Sequence, residues 1–220
     1  HISWNSANNL DASFYNDAMQ DCADLEDLYF AWDSGYPNTF GFGPTGITGT
    51  LDLTGKDKLK VITMAGSPLI TWILPADLSN IEVFDLRNSN LKNSNKASLQ
   101  SILTNGKVIS FWMDQNAAIN WNKNLVDADF GNTLRWFGAI RSGINGNVTL
   151  VAPKPNILHF WMGNLTAASA NSNVLPTVNV SGLTGVFKLD LSGCDIETLT
   201  LPVTPSLSIL YLFGNKISIA

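Results

Sequence analysis

His159 is the residue at which catalysis would first be sought, because an imidazole oriented by a carboxylate is a general base, and Asp114 or Asp190 would serve as that partner. The surroundings do not complete such a site. The one other histidine is His1, no Ser or Cys lies in a nucleophile setting, and no glycine-rich phosphate loop occurs. Asp85 and Asp190 are expected on well-separated strands, too far apart for glycoside hydrolysis. Cys22 and Cys194 fit no zinc or redox spacing and are expected as buried thiols rather than a disulfide. Asp11, Asp17, Asp21, Asp24, Glu26, Asp27 and Asp33 fall in a stretch of 33 residues without Lys or Arg. Their spacing matches no oxygen-rich calcium loop and reads as a solvated acidic cap. These residues point to a chain that is not an enzyme and needs no metal or cofactor.

The elements that position these groups follow from bulk properties and periodicity. With 220 residues, 45% of them apolar, the chain can bury a substantial core. Charged residues make up 14% and the net charge is −5, without the clustered Lys and Arg that nucleic acid requires. There is no run of 18 apolar residues, so no membrane insertion is expected and the chain as given reads as soluble. It opens on His1 rather than Met, as a processed chain or excised domain would.

The stretch GVFKLDLSGCDIETLTLP, residues 185 to 202, alternates apolar and polar residues and carries a Cys where its rhythm calls for a small polar one. Counting Val186 as position 1 puts Leu189 at 4, Leu191 at 6, Cys194 at 9 and Ile196 at 11, the spacing L-x-x-L-x-L-x-x-[N/C]-x-L. It recurs from Leu59, Ile81, Val108, Leu134 and Leu207, with a looser copy from Ile157 in which Asn164 comes one place early. These seven first positions lie 22, 27, 26, 23, 29 and 21 residues apart, and a divergent copy fits Leu25, Leu28, Phe30 and Asp33. Over residues 25 to 217 the sequence resembles the leucine-rich-repeat family, with divergent repeats of bacterial or viral type. The resemblance implies an α/β solenoid, a curved right-handed superhelix of about eight coils. Its concave side would carry a parallel β-sheet, and its convex side would be mostly irregular or short strands. Cys194 would then lie under a turn, unreactive and replaceable by Asn.

Residues 1–24 do not fit the repeat and are expected as an N-terminal cap, with 25–220 forming the solenoid. Within the cap, FYNDAMQDCADL suggests a short helix with Phe14, Ala18 and Cys22 on one face, and residues 35 to 46 read as a Gly- and Pro-rich loop. SNKASLQSILTNG, 94 to 106, predicts a helical return with a Ser cap, apolar Leu99, Ile102 and Leu103, and a closing Gly106. GTLDLTGKDKL, GNVTLVAPKPNI and ETLTLPVTPSL each place a short alternating segment at a constant distance before position 1, which suggests short strands on the outer side of those coils. Residues 171 to 185 read as loop or extended chain. The final NKISIA carries no polar capping pattern, so the last coil is expected to meet a partner chain, a further domain or a second copy.

In such a repeat, positions 4 and 6 point inward and 3, 5 and 7 outward. Position 5 then reads Tyr29, Thr63, Asp85, Trp112, Gly138, Trp161, Asp190, Tyr211, while Trp136, His159, Arg87, Asp114 and Phe213 fall at positions 3 and 7. Aromatic side chains on a concave sheet suggest binding. The expected ligand surface comprises Trp112, Trp136, Trp161, His159, Tyr211, Phe213, Asp85, Arg87, Asp114 and Asp190, with Trp112 and Trp161 walling a slot floored by Gly138. The expected function is recognition of a protein or glycan in an extracellular, cell-surface or virion setting, as in adhesion or receptor binding. The alternative is a structural subunit whose aromatic face and last coil make chain–chain contacts. Asn147, Asn164 and Asn179 begin glycosylation sequons, relevant if the producing cell glycosylates proteins.

Overall fold

The computed structural model describes residues 2–3, 11–29, 48–63, 70–89, 91–105, 107–116, 119, 121–164 and 172–217. Asp33, Phe30, Met64, Ser67, Leu69, Gly106 and the expected loop at 35 to 46 lie outside them. The chain is a parallel β-solenoid. Its long sheet takes the strands β1 (Ile2–Ser3), β2 (Asp27–Tyr29), β4 (Val61–Thr63), β6 (Val83–Asp85), β7 (Ser110–Trp112), β9 (Trp136–Gly138), β11 (His159–Trp161), β13 (Lys188–Asp190) and β15 (Ile209–Tyr211), in that spatial order. From β4 to β15 the chain makes six turns.

Two shorter parallel sheets line the opposite side. One pairs β3 (Gly49–Asp52) with β5 (Ile70–Ile73); the other runs β8 (Leu125–Val126), β10 (Val148–Thr149), β12 (Thr177–Asn179), β14 (Thr198–Thr200). The three alternating segments picked out in the sequence are β3, β10 and β14. The chain read as loop or extended at 171 to 185 contains β12. Between the two short sheets, the return from β6 to β7 is made by a helix, α2 (Lys96–Thr104), which buries Leu99, Ile102 and Leu103 completely. Its N-cap is Asn95 rather than the expected Ser94; Asn95 Oδ1 instead accepts a hydrogen bond from the Lys92 N–H.

The helix α1 (Ala12–Met19) buries Ala12, Tyr15 and Met19 against the core and leaves Phe14 and Ala18 exposed, one position away from the expected face. Its placement is set by Asn16, whose amide donates to Thr50 O and accepts from Asp52 N, pairing with β3 much as a neighbouring strand would. From the acidic cap, Asp24 and Glu26 reach the following coil and pair with Lys58 and Lys60.

Register through the long sheet matches the repeat position for position. Leu28, Ile62, Phe84, Phe111, Phe137, Phe160, Leu189 and Leu210 are aligned neighbours. Where this column carries Phe in place of Leu, the rings stack from coil to coil, with centroids 5.1, 6.0 and 5.1 Å apart from Phe84 to Phe160. Each of these eight residues is fully buried except Leu210, which is 37% exposed on the outermost strand.

Beyond β6, β7, β9, β13 and β15 the chain turns at position 8 through a left-handed residue: Asn88, Gln115, Arg141, Gly193 and Gly214 all have positive φ. Such a turn leaves backbone groups facing the core, and position 9 satisfies them in an alternating way. Asn116 Oδ1 accepts from Ser89 N and Leu91 N of the preceding coil, and its Nδ2 donates to Leu86 O and Met113 O. Asn173 does the same for Ser142 N, Ile144 N, Ala139 O and Met162 O; Asn215 repeats it with Cys194 N, Ile196 N, Leu191 O and Leu212 O. The ladder is therefore Ser89, Asn116, Ser142, Asn173, Cys194, Asn215. A small residue stands wherever the next coil's Asn reaches back.

Asn173, not Asn164, holds the ladder place in the coil of β11. Asn164 braces it from below, accepting from Asn173 N and donating to Asn173 O and Gly193 O. Asn164 is completely buried, so its sequon is closed to modification in the folded chain.

Cys194 is a fully buried thiol, its pKa raised by desolvation, with Sγ donating to Met162 O at 3.3 Å. Cys22 is half-buried rather than buried. In the native state a thiol reagent should therefore label Cys22 alone, with Cys194 reacting only on unfolding. The expectation that Asn is tolerated at 194 is revised. Asn164 Nδ2 already lies 3.7 Å from Sγ, and the N–H groups that an Asn there would seek, on Asn173 and Leu175, are bonded to Asn164 Oδ1 and Cys194 O. Cys194→Ser, which reproduces Ser89 and Ser142, should cost about 1 kcal/mol or less, and Cys194→Asn roughly 2 kcal/mol or more. Denaturant midpoints of the two variants would decide between these readings.

Candidate functional site: the outward face of the long sheet

The position-5 column of the sequence is the outward column of the sheet, in register from Tyr29 through Thr63, Asp85, Trp112, Gly138, Trp161 and Asp190 to Tyr211. Pointing outward does not leave these side chains equally open. Trp112 is only 5% exposed. Its indole lies over Gly138, where an added Cβ would stand 2.0 Å from Trp112 Cε3. Its Nε1 donates to Ser110 Oγ at 2.7 Å, and the Arg87 guanidinium sits 5.6 Å from its ring centre. The indole also meets Trp161 edge-on, centroids 5.0 Å apart. The expected slot between the two indoles is thus filled by Trp112 itself, because the missing side chain at Gly138 lets the ring lie down onto the sheet.

The charged residues of this region are largely consumed by one another or by the backbone. Arg87 holds Asp85 in a two-pronged ion pair, Nε to Oδ1 at 2.8 Å and Nη2 to Oδ2 at 2.7 Å, with Asp85 almost completely buried. Asp190 accepts from the Ser192 N–H and hydroxyl. Asp114 accepts from Ile140 N at 2.7 Å; burial pushes its carboxyl up to about 7, against the lowering effects of that bond and of Arg87. His159 does not join Asp114 or Asp190. Its ring rests against Trp161 and Phe187 at 5.5 and 6.1 Å, and burial with the neighbouring Lys188 lowers its pKa, leaving a neutral imidazole near pH 7.

Openness increases toward β15. Trp136, His159 and Trp161 are half-buried, whereas Tyr211 and Phe213 are 42% and 55% exposed and Phe187 is 44% exposed. Ile140, Trp161, Lys188, Asp190, Tyr211 and Phe213 line an open pocket of about 310 Å³. Lys188 falls at position 3 of the outward columns and is not among the residues that the sequence singles out. Its ammonium lies 4.4 Å from the Trp161 ring centre and 5.6 Å from that of Tyr211, and it has no hydrogen-bond or ion-pair partner among the described residues. A cation two residues before the position that aligns with Trp161 and Tyr211 on the adjacent strands is the available signal. Phe187, at position 2, carried none.

Two predictions follow from the closed centre of this face. Gly138→Ala should expel Trp112, lowering stability by roughly 2 kcal/mol or more and shifting tryptophan emission to the red. Adding Trp112→Ala should then cost less in the Gly138→Ala background than in the parent, and a strictly additive pair would refute the packing described. For Asp114, the folded chain keeps the carboxyl protonated up to about pH 7, while the unfolded chain ionises it near 3.8. Between those values the folded state binds the extra proton, so stability should fall as pH rises across this window, by roughly 4 kcal/mol in all, and level off above it. Asp114→Asn retains an acceptor for Ile140 N without the charge, so it should match the parent in mild acid and exceed it in mild alkali. Parallel pH profiles for the two proteins would overturn this assignment.

The chain matches no protein-family model, no curated protein and no solved structure.

Proposed function

We propose that this chain is a non-enzymatic recognition module of leucine-rich-repeat type that binds a protein or glycan ligand through the outward face of its long sheet. Adhesion or receptor binding at a bacterial surface or virion is the setting this reading favours. The observation that carries it is the gradient of exposure along the face. Trp112 at the centre is packed down, while Tyr211, Phe213 and Phe187 stand open near Lys188, which has no hydrogen-bond or ion-pair partner among the described residues. Rigid aromatics next to an available charge are the usual composition of a binding hot spot. On this reading the contact residues are Trp161, His159, Tyr211 and Phe213, with the largely buried Asp190 reached only through the pocket wall, and Trp112, Asp85, Arg87 and Asp114 support them from beneath.

Assembly into a particle or surface layer is the second reading, favoured by one observation: Leu210, which belongs to the inward column, is 37% exposed on β15. The two readings separate in one set of measurements on the intact chain. Recognition predicts a monomer across the concentration range of light scattering, and binding to an array of immobilised glycans and receptor ectodomains that Tyr211→Ala with Phe213→Ala reduces at least tenfold. A mass that grows with concentration and falls back to monomer in Leu210→Lys, with no array binding, would establish assembly instead.

A further inference from the structure

The chemistry of the pocket beside β15 narrows the ligand class, and the inference rests on the recognition reading above. The pocket presents three kinds of group at once. Tyr211 and Phe213 offer open aromatic faces; Lys188 offers ammonium donors with no acceptor among the described residues; Asp190, 5% exposed and with Oδ1 held by the Ser192 N–H and hydroxyl, lines the pocket with the edge of a carboxylate. An anionic ligand would gain from Lys188 but meet the Asp190 charge. A cationic one would gain from Asp190 and from the rings, but the place above Trp161 and Tyr211 is already taken by the Lys188 ammonium. A neutral ligand that carries both donors and acceptors satisfies the two charges together without opposing either.

We infer that this pocket binds a neutral pyranose ring of a glycan. The C–H face of such a ring is weakly positive and lies flat on the negative face of an aromatic side chain. Its hydroxyls accept from Lys188 and donate to Asp190. A volume of about 310 Å³ stands at the lower end of the roughly 300–1,000 Å³ typical of small-molecule sites, so it admits a single ring rather than an extended oligosaccharide. The site is shallow and half its aromatic surface remains in water, so affinity for one ring is weak.

The test is titration of the intact chain with neutral methyl pyranosides (glucoside, galactoside, mannoside and N-acetylglucosaminide), followed by NMR at the indole N–H of Trp161. Choline and inorganic phosphate serve as cationic and anionic probes. At least one glycoside should shift that signal saturably in the millimolar range. Tyr211→Ala should weaken binding at least tenfold. Lys188→Met, which keeps the apolar stem and removes the donors, should also weaken it at least tenfold, with thermal midpoints of both variants close to the parent. Binding that survives Lys188→Met unchanged overturns the assignment of donors. If no glycoside binds and choline or phosphate does, the sugar inference fails while the face remains a recognition surface. If none of the probes binds and the chain self-associates through Leu210, both fail together.

Discussion

Each coil from β6 to β15 ends its strand in a turn whose backbone N–H and C=O groups face the interior, out of reach of water, and the stacking of these coils depends on bonding them. Asn116, Asn173 and Asn215 do this, each using both donors and both acceptor sites of its amide on two adjacent coils. The described strands of the long sheet are only two or three residues long, so strand pairing alone gives few bonds with which to hold register. A side chain that fits one turn above and its own turn below holds the coils in step. The phenylalanine stack from Phe84 to Phe160 then fills the space that alignment creates.

Register in turn determines the outward face. Because Gly138 falls between Trp112 and Trp161, the centre of the face collapses onto itself, and because Arg87 falls beside Asp85 its charge is neutralised locally. The same alternation places Lys188 near the rings of Trp161 and Tyr211 with no ion-pair partner among the described residues. One end of the face is therefore a rigid platform, and the other end is where unsatisfied chemistry remains. Trp161 belongs to both: its Nε1–H is shielded from solvent without an acceptor among the described residues, a local cost of about 1–3 kcal/mol that the surrounding aromatic packing offsets.

Direction was legible in the sequence, and burial was not. Seven copies in register sufficed to assign the inward and outward columns, because side-chain alternation along a strand is a local property. Whether Trp112 is open depends on residues two coils away and on the absence of a side chain at Gly138, which no column read in isolation reveals. In the coil of β11 the consensus spacing points to Asn164, whereas the ladder place is held by Asn173, which an insertion carries outside that spacing. The buried face of α1 was displaced by one position because eight residues make barely two turns, and Phe14 weighs more in a hydrophobic pattern than Ala12 does. Lys188 was passed over because a lone lysine on a strand is ordinary. Its significance comes from the two rings across the sheet.

The alternation of Asn with Ser or Cys along the ladder has a consequence for how such a chain can change in length. Each Asn completes the turn of the coil before it, and each small residue makes room for the Asn of the coil after it. Removing or duplicating one coil would set two amides against each other, or leave two successive turns with none. Removing or duplicating two preserves the pattern. The coil is the geometric period of this protein, but the unit by which it could be lengthened or shortened with the ladder intact is the pair.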